Sequence, residues 1–88
     1  MVKKGLLYGF INTKGEYIAS PQFEDAGNFR EGLAAVKIND KWGYINTAGK
    51  LVIAAKYQDA GTFDEGTAYV KFNNKRYYIN TAGKIIRE

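Results

Sequence analysis

Short apolar runs punctuated by Gly and Asn recur along this chain, and their spacing is that of strands linked by tight turns. In the best-marked stretch, Leu33 to Ile38 and Lys41 to Asn46 flank Asn39-Asp40, and a further apolar run, Leu51-Val52-Ile53, follows Asn46-Thr47-Ala48-Gly49. Two-residue sites rich in Asn or Gly suit the positive φ of primed hairpin turns, so Gly5-Leu6, Asn39-Asp40 and Asn73-Asn74 are each predicted to close a hairpin. The sets at 12–15, 46–49 and 80–83 place Asn where a type I turn begins and Gly where a left-handed bulge residue sits. The predicted unit is a three-stranded antiparallel meander.

Shifting the chain against itself by 34 positions shows that this unit repeats. Gly9 to Trp42 then overlie Gly43 to Arg76, with identity at Ile11/Ile45, Asn12/Asn46, Gly15/Gly49, Asp25/Asp59, Ala26/Ala60, Phe29/Phe63 and Glu31/Glu65 among others. A third copy resumes at Tyr77, and Val2-Lys3 aligns with Val36-Lys37 and Val70-Lys71. Residues 1–88 are therefore expected to form one all-β repeat domain, with meander blocks at about 1–20, 33–54 and 67–88 and connectors at 21–32 and 55–66. Each connector carries two aromatics, Phe23 and Phe29 or Tyr57 and Phe63. It is expected to fold back over its own meander and dock these rings, with room for a short helical turn.

Strict alternation through the turns puts Ala34, Val36, Ile38, Ile45, Leu51 and Ile53 on one face. It puts Ala35, Lys37, Trp42, Tyr44 and Val52 on the other. Both faces are partly apolar, so both need covering, which stacked neighbours would supply. An open stack is expected over a closed ring. A single copy is shorter than the ~40 residues a domain usually needs to stand alone, so folding is expected to be cooperative across the blocks.

Composition narrows the chemistry. The chain of 88 residues is 15% aromatic and contains neither Cys nor His, which removes disulfides, thiolates, the usual zinc ligands and the commonest general base. No nucleophile–base pair can be drawn, and the adjacent acids Asp64 and Glu65 cannot face each other across a substrate. The connector acids Asp25, Glu31, Asp59, Asp64 and Glu65 lack the alternating spacing of a calcium loop and read as turn and solubility residues. The chain reads as non-enzymatic, with no catalytic residues, metal or cofactor. Its net charge of +4 comes from 13 basic residues interleaved with 9 acids, a weak hint of polyanion affinity.

The stretch Lys41-Trp42-Gly43-Tyr44-Ile45-Asn46-Thr47-Ala48-Gly49-Lys50, with Phe63-Asp64-Glu65-Gly66 downstream, resembles the WG-repeat family, a bacterial tandem repeat. Tyr8-Gly9 replaces the Trp-Gly pair in the first copy and Arg76-Tyr77 replaces it in the third. The resemblance implies an interaction or scaffold role without a defined activity.

A protein partner is therefore the expected ligand, with a carbohydrate or cell-wall polymer as the alternative. That alternative rests on Arg76-Tyr77-Tyr78-Ile79-Asn80-Thr81-Ala82-Gly83-Lys84, which is similar to the aromatic hairpins of choline- and glucan-binding repeats. The candidate platform comprises Tyr8, Trp42, Tyr44 and Tyr78, read first as core and second as a binding row. Lys37, opposite Trp42, is placed to lay its ammonium over the indole. Nucleic acid is disfavoured because lysines and acids alternate, and no membrane contact is expected. Without an obvious polar cap at either end, weak homodimerisation is expected.

Overall fold

The computed structural model describes residues 1–88 as eleven strands in three antiparallel sheets. Block one contains β1 (Val2–Lys4), β2 (Leu7–Ile11) and β3 (Tyr17–Phe23). Block two contains β4 (Asp25–Ala26), β5 (Leu33–Ile38), β6 (Lys41–Asn46) and β7 (Leu51–Tyr57). Block three contains β8 (Asp59–Ala60), β9 (Thr67–Phe72), β10 (Lys75–Asn80) and β11 (Ile85–Arg87). The sheets stack in chain order into an open array of 38 × 24 × 15 Å, with no closed barrel.

The turns follow the residues that specify them. Asn39 and Asp40 have φ of 49° and 68°, and Asn73 and Asn74 have 50° and 64°, the paired positive values of a type I′ hairpin. In the second turn the Asn46 side chain accepts from the amides of Ala48 and Lys50, both at 3.0 Å, and Gly49 adopts φ 82°. Asn12 and Asn80 do the same. A short polar side chain thus holds the loop, and glycine supplies the left-handed bulge residue.

The connectors differ from the expectation. They contain no helical turn, and β3 and β7 run on through their first residues to Phe23 and Tyr57. Asp25-Ala26 then pairs with the following block, Asp25 opposite Lys37 and Ala26 opposite Val36, as a short fourth strand. The rest of the connector returns as expected: Phe29 packs edge-on against Phe10 at 5.0 Å, and Phe63 against Tyr44 at 4.9 Å. Each connector ends in another tight hairpin, with Glu31-Gly32 and Glu65-Gly66 at positive φ.

Pairing between β5 and β6 matches the predicted register, including Ala35 opposite Tyr44 and Lys37 opposite Trp42. The third strand departs from it. Tyr44 faces Ile53 while Ile45 faces Leu51, so Val52 is an extra residue and Ile53 lies on the Tyr44 face rather than with Val36. A bulge after the Gly49 turn breaks the two-residue alternation on which the face assignment depended.

Farther along, Trp42 pairs with Tyr57, leaving Ala54, Ala55 and Lys56 arched over Gly43 alone. A Cβ at Gly43 would lie 2.5 Å from the Ile53 carbonyl oxygen and 2.8 Å from the Ala55 nitrogen. Gly9 sits under the equivalent arch of block one, where a Cβ would lie 2.7 Å from both Ala19 O and Pro21 N. Glycine is required here by close backbone approach.

The two core clusters lie between sheets. One gathers Phe10, Ala19 and Phe23 from block one with Ala26, Ala34, Val36 and Ile45 from block two. The other gathers Leu33, Ala35, Tyr44, Ile53 and Tyr57 from block two with Ala68, Val70 and Ile79 from block three, and Phe63 from the connector. No side chain N or O atom is buried without a hydrogen-bond partner.

Candidate functional site

The four aromatic candidates do not form a row. Tyr44 is 1% exposed and lies edge-on to Phe63, with its hydroxyl donating to the Gly61 carbonyl at 2.5 Å. Tyr8 and Trp42 are half-buried against the two core clusters, each lying under the block that follows. Tyr78 alone lies on a face that no further block covers. Because Trp42 retains solvent contact, Trp42→Ala should cost about 2 kcal/mol, below the ~3–5 kcal/mol typical of a fully buried large aromatic. Chemical denaturation of the variant checks this.

Burial raises the pKa of Tyr44 strongly, and the neighbouring Tyr57 and Asp59 raise it further; burial raises Tyr57 as well. Both phenols therefore stay protonated in the fold above their ordinary value of 10.0. The unfolded chain releases these protons near that value, so above about pH 10 it binds fewer protons than the native state. The stabilisation is complete below pH 10 and declines as pH rises beyond it. Tm measured from pH 8 to 12 should fall above pH 10, less steeply for Tyr44→Phe.

Lys37 makes no stack on Trp42; its ammonium instead lies 3.4 Å from Asp40 Oδ1. In block one the equivalent pair does stack, Lys3 Nζ standing 5.3 Å from the Tyr8 ring centroid. The connector acids bind backbone amides: Glu24 accepts from Asn39 and Asp40, Asp25 from Ala26, and Glu31 from Gly66. No three potential ligands converge into a cluster able to hold a metal ion.

The outer face of block three occupies the position that the next block covers in the other two. In repeat register, Tyr69 and Tyr78 correspond to Ala35 and Tyr44, while Arg76 and Arg87 stand where Trp42 and Ile53 seal the preceding interface. The Arg87 guanidinium lies 4.2 Å from the Tyr78 ring centroid, and that of Arg76 lies 5.5 Å from Tyr69. These stacked cations make the outer face of block three polar. Asp64, Glu65 and Thr67 border the same face, forming a shallow cavity of about 500 Å³ with Tyr69, Tyr78 and Arg87. Asp64 is paired with Arg30 at 3.5 Å, whereas neither Arg76 nor Arg87 has a carboxylate within salt-bridge distance.

Arg76 and Arg87 were not among the sequence candidates. Their signal was present in the repeat alignment, where charge replaces Trp and Ile at two interface positions of the last copy only.

Comparison with known proteins gives one family. The sequence model described as "WG containing repeat" matches residues 8–42 and again residues 42–75. Neither the curated proteins nor the solved structures compared with the chain gave a match.

Proposed function

The chain belongs to the family of WG-containing repeats, and from that premise we propose that it is a non-catalytic interaction module holding a protein partner on the outer face of block three. The observation that carries this reading is the pair of arginine–tyrosine stacks on a face otherwise used for block-to-block packing. Tyr and Arg are the residues most enriched at protein-interface hot spots, where a flat ring buries area and a guanidinium takes a carboxylate. Arg76 and Arg87 have no acidic partner within the chain, so a partner presenting carboxylates beside apolar groups fits the face.

Carbohydrate binding is the second reading, favoured by the cavity's mixture of tyrosines, Thr67 and acids. Against it, guanidiniums already lie over Tyr69 and Tyr78, where a sugar would stack. Peptide-display selection and a glycan array run on the same protein separate the two. Acidic peptides should be enriched, and the Arg76→Ala/Arg87→Ala double variant should bind them at least about tenfold more weakly, as loss of hot-spot contacts would dictate. Glycan binding that disappears in Tyr78→Ala, without peptide enrichment, would replace the protein-partner reading with the carbohydrate one.

A further inference from the structure

Block two has a neighbouring sheet on each face, so a side chain open to solvent there is open because of the shape of the array and not because a neighbour is missing. Its last strand, β7, ends the sheet order β4-β5-β6-β7, and no backbone hydrogen bond outside the strand ladders involves residues 51–57. The outer edge of β7 is unpaired. Alternate residues along it separate by burial: Lys50, Val52, Ala54 and Lys56 are exposed, Val52 at 44%, while Ile53 and Tyr57 enter the core. Two ammonium groups thus flank a short apolar strip along an open edge. Neither has a carboxylate within salt-bridge distance, the ion pairs being Arg30 with Asp64 and Lys37 with Asp40. The equivalent strand of block one is different: Glu16, Ile18, Ser20 and Gln22 take these places, Pro21 removes a donor, and the Gly49 turn of the next sheet closes against the Ile18 carbonyl. On β7 the equivalent turn meets a side chain instead, since a Cβ on Gly83 would lie 3.3 Å from Ile53 Cγ1.

We propose that the β7 edge takes up an extended segment of a partner protein as an added strand, with the pattern acid-x-aliphatic-x-aliphatic-x-acid. An open edge offers main-chain hydrogen bonds to any strand, and the side chains at alternate positions select among them. Aliphatic side chains opposite Val52 and Ala54 extend the apolar strip, and carboxylates at the two ends meet Lys50 and Lys56. A second copy of β7 is the wrong occupant. The antiparallel register that sets Val52 opposite Ala54 also sets Lys50 opposite Lys56, and like charges directly across a pair destabilise it. The lysines that hold copies of this chain apart therefore favour a segment with an acid at each end.

This inference rests on the protein-interaction reading but uses the flank of the array and not the outer face of block three, so one experiment distinguishes them. The isotope-labelled full chain is titrated with the synthetic peptide ETVTVTE and followed by amide NMR. Shift changes should centre on Lys50–Tyr57 and persist in the Arg76→Ala/Arg87→Ala variant. The Lys50→Glu/Lys56→Glu variant, altered only at exposed side chains, should bind this peptide at least about fivefold more weakly and should prefer the charge-reversed peptide KTVTVTK, as cross-strand charge pairs require. Two forms of ETVTVTE, N-methylated at alternate amides in opposite phases, should separate: the form whose methyl groups point at β7 gives no shifts, and the other binds. No shift at millimolar peptide, equal binding of ETVTVTE and KTVTVTK by the native chain, equal binding of both N-methylated forms, or shifts centred on Tyr69 and Tyr78 would each overturn the β7 site. The last, if lost in Arg76→Ala/Arg87→Ala, would leave the block-three face standing as the interaction surface.

Discussion

Gly43→Ala should be strongly destabilising although it adds a single methyl group. The added Cβ would meet Ile53 O at 2.5 Å, Ala55 N at 2.8 Å and Ala55 Cα at 2.9 Å, all backbone atoms of the arch that carries β7 over β6. A flexible side-chain tip could swing aside; an arched strand cannot do so without moving Tyr57, which is 3% exposed in the core. Overpacking typically costs ~1–3 kcal/mol, and a clash against backbone belongs at or above the top of that range. Gly32→Ala is the control: its φ is 80°, yet nothing lies within 4 Å of the added carbon, so only the left-handed strain of ~1–2 kcal/mol applies. Urea denaturation should place Gly43→Ala well below Gly32→Ala. Equal midpoints would mean that close approach is not the reason for glycine at this position.

Tyr44→Ala should be the costliest truncation, at about 3–5 kcal/mol, because the ring is 1% exposed between blocks two and three and lies edge-on to Phe63 at 4.9 Å. Tyr44→Phe keeps the ring and loses only the hydroxyl's bond to Gly61 O, a loss of about 1 kcal/mol. Block one shows that Phe serves at this position, since Phe10 occupies it and packs against Phe29 in the same edge-on manner. Stability measured for the pair should therefore separate them by several kcal/mol. Similar losses in both would move the contribution of Tyr44 from packing to its hydrogen bond.

Much of this architecture was legible before any coordinates. Asn-Gly-rich turn pairs set the hairpins, and the β5–β6 register followed from the two-residue turn at Asn39-Asp40, because a tight turn leaves only one pairing. The third strand was misassigned where the bulge inserts Val52, since alternation carries no information across an unpaired residue. Strands β4 and β8 were missed for a different reason. Asp and Gly are depleted in strands, and two residues carry no periodicity, so Asp25-Ala26 looks like a loop until its partner Lys37-Val36 is known. The final-copy changes Trp42 to Arg76 and Ile53 to Arg87 stood in the alignment. Their meaning depended on which face the next block covers, a tertiary fact.

Placement of the hydrophobic cores between the sheets is the claim on which the rest depends. It explains why both faces of each meander are apolar, why the connector aromatics dock backward while Asp25-Ala26 pairs forward, and why the last exposed face carries guanidiniums. Thermal denaturation of residues 24–57, one complete four-stranded sheet with its own fourth strand and no neighbours, tests it most directly. The account predicts a broad, non-cooperative signal loss for this fragment, against a sharp transition for residues 1–88; a sharp transition from residues 24–57 alone would contradict it.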